Sequence, residues 1–118
     1  MDTYKAVFSD IDGTLLTDSH QVTPGTAGRI RGLGRQGIPF VLVSARMPPG
    51  IFPIQEAIGI SGPIICYGGA LVLDADRDPI YSRGLSLDLA GQIQDCLPPE
   101  TAECCFCAYS YDLWIASD

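Results

Sequence analysis

Lysine is almost absent from this 118-residue chain. Lys5 is the only one, and lysine and arginine together number 7 against 14 aspartates and glutamates. The formal charge is −7 and the isoelectric point lies near 4.3. Phosphate backbones and anionic lipid surfaces repel such a chain, so neither a nucleic acid nor a membrane is an expected partner. A cationic cofactor suits it better. Long apolar runs are missing too. None nears the roughly 18 residues that would span a bilayer, and the start "MDTYKAV" lacks the basic opening and long apolar core of a signal peptide. A cytoplasmic location is the expectation. The chain has no even set of cysteines: there are five, three of them in "CCFC" at 104–107. A disulfide framework is therefore not expected, and reduced thiols are the default. Zinc at that cluster would need a fourth ligand beside the three thiolates. There is no internal repeat and no low-complexity segment.

Apolar residues make up 47% of the chain and charged ones 18%, the balance of an ordinary globular protein. The length allows one domain, or one domain and a piece of another. Residues 4–9 (YKAVFS), 39–44 (PFVLVS) and 63–67 (PIICY) read as strands. The last two are continuously apolar, as in parallel strands covered by helices. The intervening "TPGTAGRIRGLGRQG" reads as a helix with Thr23 as cap, Pro24 at its first position and Gly37 at its stop. The glycines at 25, 28, 32 and 34 each cost roughly 1 kcal/mol relative to alanine, so Ala27, Ile30 and Leu33 must hold it by packing. "PPGIFPIQEAIGI" reads as a second helix, with Pro53 in its opening turn. A β-α-β-α-β run with right-handed crossovers lays the strands side by side in the order 1-2-3. Ligands of such sheets bind beyond the carboxyl ends of the strands, where the strand order reverses, so strand 1 should border the site.

Beyond residue 68 the pattern changes. "GGALVLDADRDPIYSRG" reads as a hairpin whose DADRD turn is solvated. "SLDLAGQIQDCL" has helical spacing of Leu87, Leu89, Ile93 and Leu97, with Ser86 as cap. "AECCFCAYSYDLWIASD" reads as two short strands joined at Ser110 to Asp112. Residues 83–118 thus resemble the opening of a second, α+β unit after a first unit at 1–82.

The chemistry concentrates in "DIDGT", at the end of strand 1. Residues two apart on a strand share a side, so Asp10 and Asp12 can aim at one small volume. Two carboxylates so close repel unless a cation or a shared proton separates them. One can act as nucleophile while the other handles a proton, and Mg²⁺ prefers oxygen ligands of this kind. Ser44, at the end of strand 2, would lie beside them and could donate to a bound anion. Arg46 is suited equally to a substrate or to a neighbouring carboxylate. His20 is expected at the surface, and Tyr109, Tyr111 and Trp114 are expected in packing.

With these residues in view, "DIDGT" after an apolar strand resembles motif I of the haloacid dehalogenase superfamily, and "VSAR" resembles its second motif. The succession of "YGGA" and a hairpin is similar to the Cof-type sugar-phosphatase branch, over residues 4 to about 116. The resemblance implies an α/β, Rossmann-like doubly wound parallel sheet over residues 1–82, an incomplete core, followed at 83–118 by the start of a type II cap. It implies a Mg²⁺-dependent phosphatase acting on a small phosphorylated metabolite, sugar phosphates among them. Asp10 would attack phosphorus and form an aspartyl-phosphate; Asp12 would protonate the leaving alcohol and then activate water. The metal would be held by the Asp10 carboxylate and the Asp12 carbonyl, and the phosphate by the backbone of Ile11 and Ala45 with the Ser44 hydroxyl.

The family also uses a later lysine and a later acidic pair, which these 118 residues do not supply. Weak Mg²⁺ binding and poor activity of this chain alone are expected, with an alternative role as a non-catalytic binding or assembly module. A receiver domain fits less well, since its acceptor aspartate ends the third strand and "PIICYGG" has none. The same shortfall would leave strand 1 as an open edge, available for self-association or for a complementing chain.

Overall fold

The computed structural model describes residues 4–116, which divide into two units, the first ending at Ser82 and the second beginning at Arg83. The first holds a five-stranded sheet in the order β1 (Val7–Asp10), β2 (Phe40–Val43), β3 (Ile64–Cys66), β4 (Leu71–Leu73), β5 (Pro79–Ser82). The pairs β1–β2 and β2–β3 are parallel, and β3–β4 and β4–β5 are antiparallel. The sheet is therefore mixed, with the parallel 1-2-3 order expected from the sequence at one side and the hairpin added at the other.

Each strand is shorter than its apolar run. Tyr4–Ala6 lie outside β1, which begins at Val7 because Phe40 is the first partner on β2, and it continues one residue beyond the expected end, to Asp10. Tyr67 leaves β3 for a short 3₁₀ turn, Tyr67–Gly69, with its own φ at 50°. Hydrophobicity marks which segments are buried; pairing with the neighbour decides where each ladder stops.

The two crossover helices form as their caps direct. In α1 (Pro24–Arg35) the Thr23 hydroxyl accepts from the Thr26 N–H at 3.2 Å, Pro24 opens the first turn, and Gly37 leaves in the left-handed region at φ 75°. Ala27 and Ile30 are buried and Leu33 is half-buried, which offsets the glycines. The prolines of the next segment are divided between two elements. Pro48–Gly50 makes a 3₁₀ turn, and α2 (Phe52–Ile58) starts after it with Pro53 in its first turn, where the absent N–H is not missed. Arg31 of α1 donates from Nη1 to the Ile58 carbonyl at 2.7 Å, capping the end of α2 before Gly59 reverses the chain.

The core lies between the sheet and these helices. Ile11, Leu42, Ile51, Ile64 and Leu73 are fully buried together with Cys66, and Ala27, Ile30 and Ile58 form an adjoining cluster. Burial pushes the Cys66 thiol up to about 11. The β4–β5 turn is organised by Asp74, whose Oδ1 accepts from the N–H groups of Asp76 and Asp78 at 2.9 Å. Arg77 of that turn lies 4.0 Å from the Phe52 ring centroid and 3.5 Å from Glu56, pinning the turn to α2.

The second unit contains α3 (Leu87–Asp95), capped by Ser86, and an antiparallel hairpin of β6 (Cys107–Ser110) and β7 (Leu113–Ala116). Tyr109 and Trp114 face each other across the hairpin, stacked with centroids 6.2 Å apart.

Leu42→Ala should cost about 2–5 kcal/mol, the range for truncating a fully enclosed aliphatic side chain, read as a lower urea midpoint. Leu87→Ala, at a position 92% exposed, should leave that midpoint in place.

Candidate active site

Parallel pairing fixes the site's frame. Asp10 is registered with Val43, so the chain leaving β1 into Ile11-Asp12-Gly13 runs beside the chain leaving β2 into Ser44-Ala45-Arg46. Ile11 turns its side chain into the core and is fully buried. Its carbonyl accepts from the N–H groups of Leu15 and Leu16 at 3.0 and 3.1 Å, winding the next residues into a tight turn. Gly13, with φ at 75°, takes the left-handed conformation that this turn requires. The residues after it close a small loop, in which Thr17 N–H donates to the Gln21 carbonyl at 2.9 Å and His20 is exposed with φ at 57°.

Both aspartates are exposed, and each has its own partner. Asp10 Oδ2 accepts from the Thr14 hydroxyl at 3.1 Å. The Asp12 carboxylate receives Arg46 side-on, with Nε donating to Oδ2 at 2.8 Å and Nη2 donating to Oδ1. This two-point contact is the strong form of guanidinium–carboxylate pairing. Arg46 is itself held, since its Nη1 donates to the Gly50 carbonyl at 3.2 Å. The hydrogen bond from Arg46, opposed in part by desolvation, keeps the Asp12 carboxyl below the usual carboxylate range, with smaller charge contributions from Arg46 and His20. Arg46 is raised correspondingly, chiefly by its hydrogen bond to Asp12.

Ser44 is buried. Its Oγ accepts from the Arg46 N–H at 3.1 Å, which occupies a lone pair and leaves the hydroxyl proton to be donated elsewhere. The third loop braces the second: Gly68 N–H donates to the Ser44 carbonyl at 3.0 Å and Tyr67 N–H to the Arg46 carbonyl at 3.2 Å. Ala45 is exposed between them.

The structure thus brings the Asp12 and Ser44–Arg46 segments together, with Asp10 at the end of the adjoining strand. Two participants were not evident in the sequence. Thr14 is the hydroxyl of a "DGT" whose partner depends on how the turn winds. Arg46 was as well suited to a substrate as to a carboxylate, and the structure gives it the carboxylate. A shallow depression lined by Phe52, Gln55, Glu56 and Arg77 lies at the β4–β5 turn and contains none of these residues.

Mg²⁺ can be tested against the donors present. Asp10 offers an exposed carboxylate and Asp12 a backbone carbonyl, while the Asp12 carboxylate is engaged by Arg46. Among the described residues no three of His, Cys, Asp and Glu gather around a common point. Two hard oxygens agree with Mg²⁺, which ordinarily keeps several waters and takes one or two carboxylates.

Arg46→Ala should return the Asp12 carboxyl toward its ordinary range, visible as a higher midpoint in a carboxyl-carbon NMR titration. The sign follows from linkage. A folded-state value below the unfolded one of about 3.9 contributes stability above that pH, and the contribution disappears as pH falls through the folded value. The pair is half exposed, so its loss should cost no more than about 1 kcal/mol at neutral pH, and the wild-type advantage should vanish in acid.

The family model for haloacid dehalogenase-like hydrolases matches residues 7–118. A Haemophilus influenzae protein, provisionally named a phosphatase, is 47% identical over 79 residues, covering 67% of this chain and 30% of its own length. A second protein of that organism is 30% identical over 115 residues, 97% of this chain and 42% of its own. Among solved structures, a haloacid dehalogenase-like hydrolase from Bacillus subtilis superposes with a TM-score of 0.69 at 28% identity, over 77% of this chain and 32% of that one. A Thermotoga maritima structure superposes with a TM-score of 0.83 over 97% of this chain and 42% of that one; at 23% identity it speaks for the fold alone. The chain spans less than half the length of these relatives. With the model match running through nearly all of the described residues, the chain belongs to the haloacid dehalogenase-like hydrolase family.

Proposed function

We propose that this chain carries the phosphoryl-transfer half of a Mg²⁺-dependent phosphatase that hydrolyses a small phosphorylated metabolite in the cytoplasm. The observation that carries the reading is the side-by-side exit of "DIDGT" and "VSAR" from adjacent parallel strands, tied by the Asp12–Arg46 contact. Provisional phosphatase names among the relatives support it. In this reading residues 1–82 are the first part of the core and 83–118 the beginning of a cap.

The proposed chemistry is a double displacement. An Asp10 carboxylate oxygen bonds to phosphorus as the ester P–O bond breaks, and Asp12 gives a proton to the departing alkoxide. Asp12 then takes a proton from water as that water attacks phosphorus, freeing phosphate and restoring Asp10. Thr14 orients Asp10 through its hydroxyl. The Ser44 proton and the backbone N–H groups of Ile11 and Ala45 hold phosphate oxygens. Mg²⁺, when bound by the Asp10 carboxylate and Asp12 carbonyl, neutralises charge that would otherwise oppose the attack.

Arg46 sets a condition on this scheme. A carboxyl held below its usual range is a ready base for the second step but a poor acid for the first. Productive substrate binding must therefore loosen the Arg46 contact, so that Asp12 can carry a proton.

The purified chain with Mg²⁺ should hydrolyse p-nitrophenyl phosphate slowly, and Asp10→Asn should abolish the activity. Beryllium fluoride with Mg²⁺ should be trapped at Asp10 in the wild type and not in Asp10→Asn. Absence of both trapping and turnover would favour the binding-module alternative.

A further inference from the structure

The segment between β1 and α1 is anchored at both ends and stapled in the middle. Leu15 and Leu16 at its start and Val22 at its end pack against the buried clusters of the first unit. Between them Thr17 ties the chain into a closed loop. Its N–H donates to the Gln21 carbonyl at 2.9 Å and its carbonyl accepts from the His20 N–H at 2.8 Å. Its hydroxyl lies 3.1 Å from the same Gln21 carbonyl and 2.9 Å from the Ser19 Oγ. The loop leaves the sheet at the carboxyl end of β1, where Asp10 and Asp12 also emerge.

His20 stands in this loop with φ at 57°, a left-handed conformation that histidine adopts more readily than most residues. It is exposed, and among the described residues no hydrogen bond or ion pair engages its imidazole. Its charge reaches Asp12, where, after the Arg46 hydrogen bond, it helps to hold the carboxyl down. Basic side chains are scarce around it. In the described loops that follow β1, β2 and β3, only His20 and Arg46 can carry positive charge. Arg46 is engaged by the Asp12 carboxylate and the Gly50 carbonyl.

We infer that His20, as an imidazolium, binds a carboxylate on the leaving group of the substrate and so selects phosphomonoesters of small hydroxy acids, a role that rests on the phosphatase reading above. A chain of net charge −7 with two carboxylates at its site repels any further anion. A substrate that carries one therefore needs a local cation, and His20 is the unengaged one in these loops. One imidazolium offers a single positive charge, which matches a carboxylate better than a second phosphate. The stapled backbone contributes placement, because a group held in position before binding gives up less freedom when the ligand arrives.

Binding to the full chain tests this without reference to turnover. 3-Phosphoglycerate and glycerol 3-phosphate differ by a carboxylate against a hydroxymethyl group, and methyl phosphate probes the phosphoryl site alone. The chain has one histidine, so a single imidazole Cε1–H signal in the NMR spectrum reports on it. With Mg²⁺ present at about pH 5.5, where an ordinary imidazole is charged, that signal should move with 3-phosphoglycerate and stay in place with the other two. His20→Asn keeps a residue tolerant of the left-handed conformation. It should weaken 3-phosphoglycerate by about two- to fivefold, the effect of one exposed ion pair, and leave the other two ligands unchanged. His20→Lys should restore the binding. If methyl phosphate binds and 3-phosphoglycerate is held no more tightly than glycerol 3-phosphate, the inference is overturned and the phosphoryl site stands. An equal loss for both glycerol-derived esters in His20→Asn also overturns it and assigns His20 to hydroxyl recognition. Failure of all three ligands to bind overturns the phosphatase reading and this inference with it.

Discussion

The parallel register of β1 on β2 is the constraint from which the site follows. Opposing Asp10 to Val43 makes two loops leave the sheet at the same height and on the same side. A one-residue slip would turn every β1 side chain to the other face. Ile11, now fully buried, would then have to exchange places with a charged neighbour. The register is thus held by the core as much as by the ladder. The burial that stabilises Ile11, Leu42 and Ile64 is the same burial that aims Asp10 outward.

On that frame, electrostatics decides how the first loop is presented. Arg46 reaches Asp12 because three separate contacts fix its position: the Gly50 carbonyl at its tip, the Ser44 hydroxyl at its amide and the Tyr67 amide at its carbonyl. None of these belongs to β1 or to the loop after it that carries Asp12. The orientation of Asp12 is consequently set by the second and third loops, which lie one and two crossovers further along the chain. Asp10 depends on a partner only four residues away. The two carboxylates, near in sequence, answer to different parts of the fold.

Much of this was legible in the residues. Apolar runs located the three parallel strands, continuous ones for the second and third, and Thr23, Pro24 and Gly37 located α1, because capping and backbone restriction are local effects. Ser86 did the same for α3, and the turn in "SYD" for the β6–β7 hairpin. Ends of strands were less accessible. Tyr4 and Tyr67 are as apolar as their neighbours, and only the presence or absence of a pairing residue excludes them. The partner of Arg46 was not legible for a related reason. Its contact with Asp12 joins positions 34 apart, and no periodicity records a meeting of two loops. Arg77 is similar: its turn was recognisable, but its seat on Phe52 depends on where α2 begins.

The distribution of sulfur has a consequence of its own. Cys66 sits in the central sheet, fully enclosed and strongly disfavoured as thiolate, whereas Cys96, Cys104, Cys105 and Cys107 are exposed in the second unit. Since oxidants and electrophiles react with accessible thiolate, such damage falls on one unit and spares the other. The sheet that carries Asp10 is in this sense insulated from thiol oxidation.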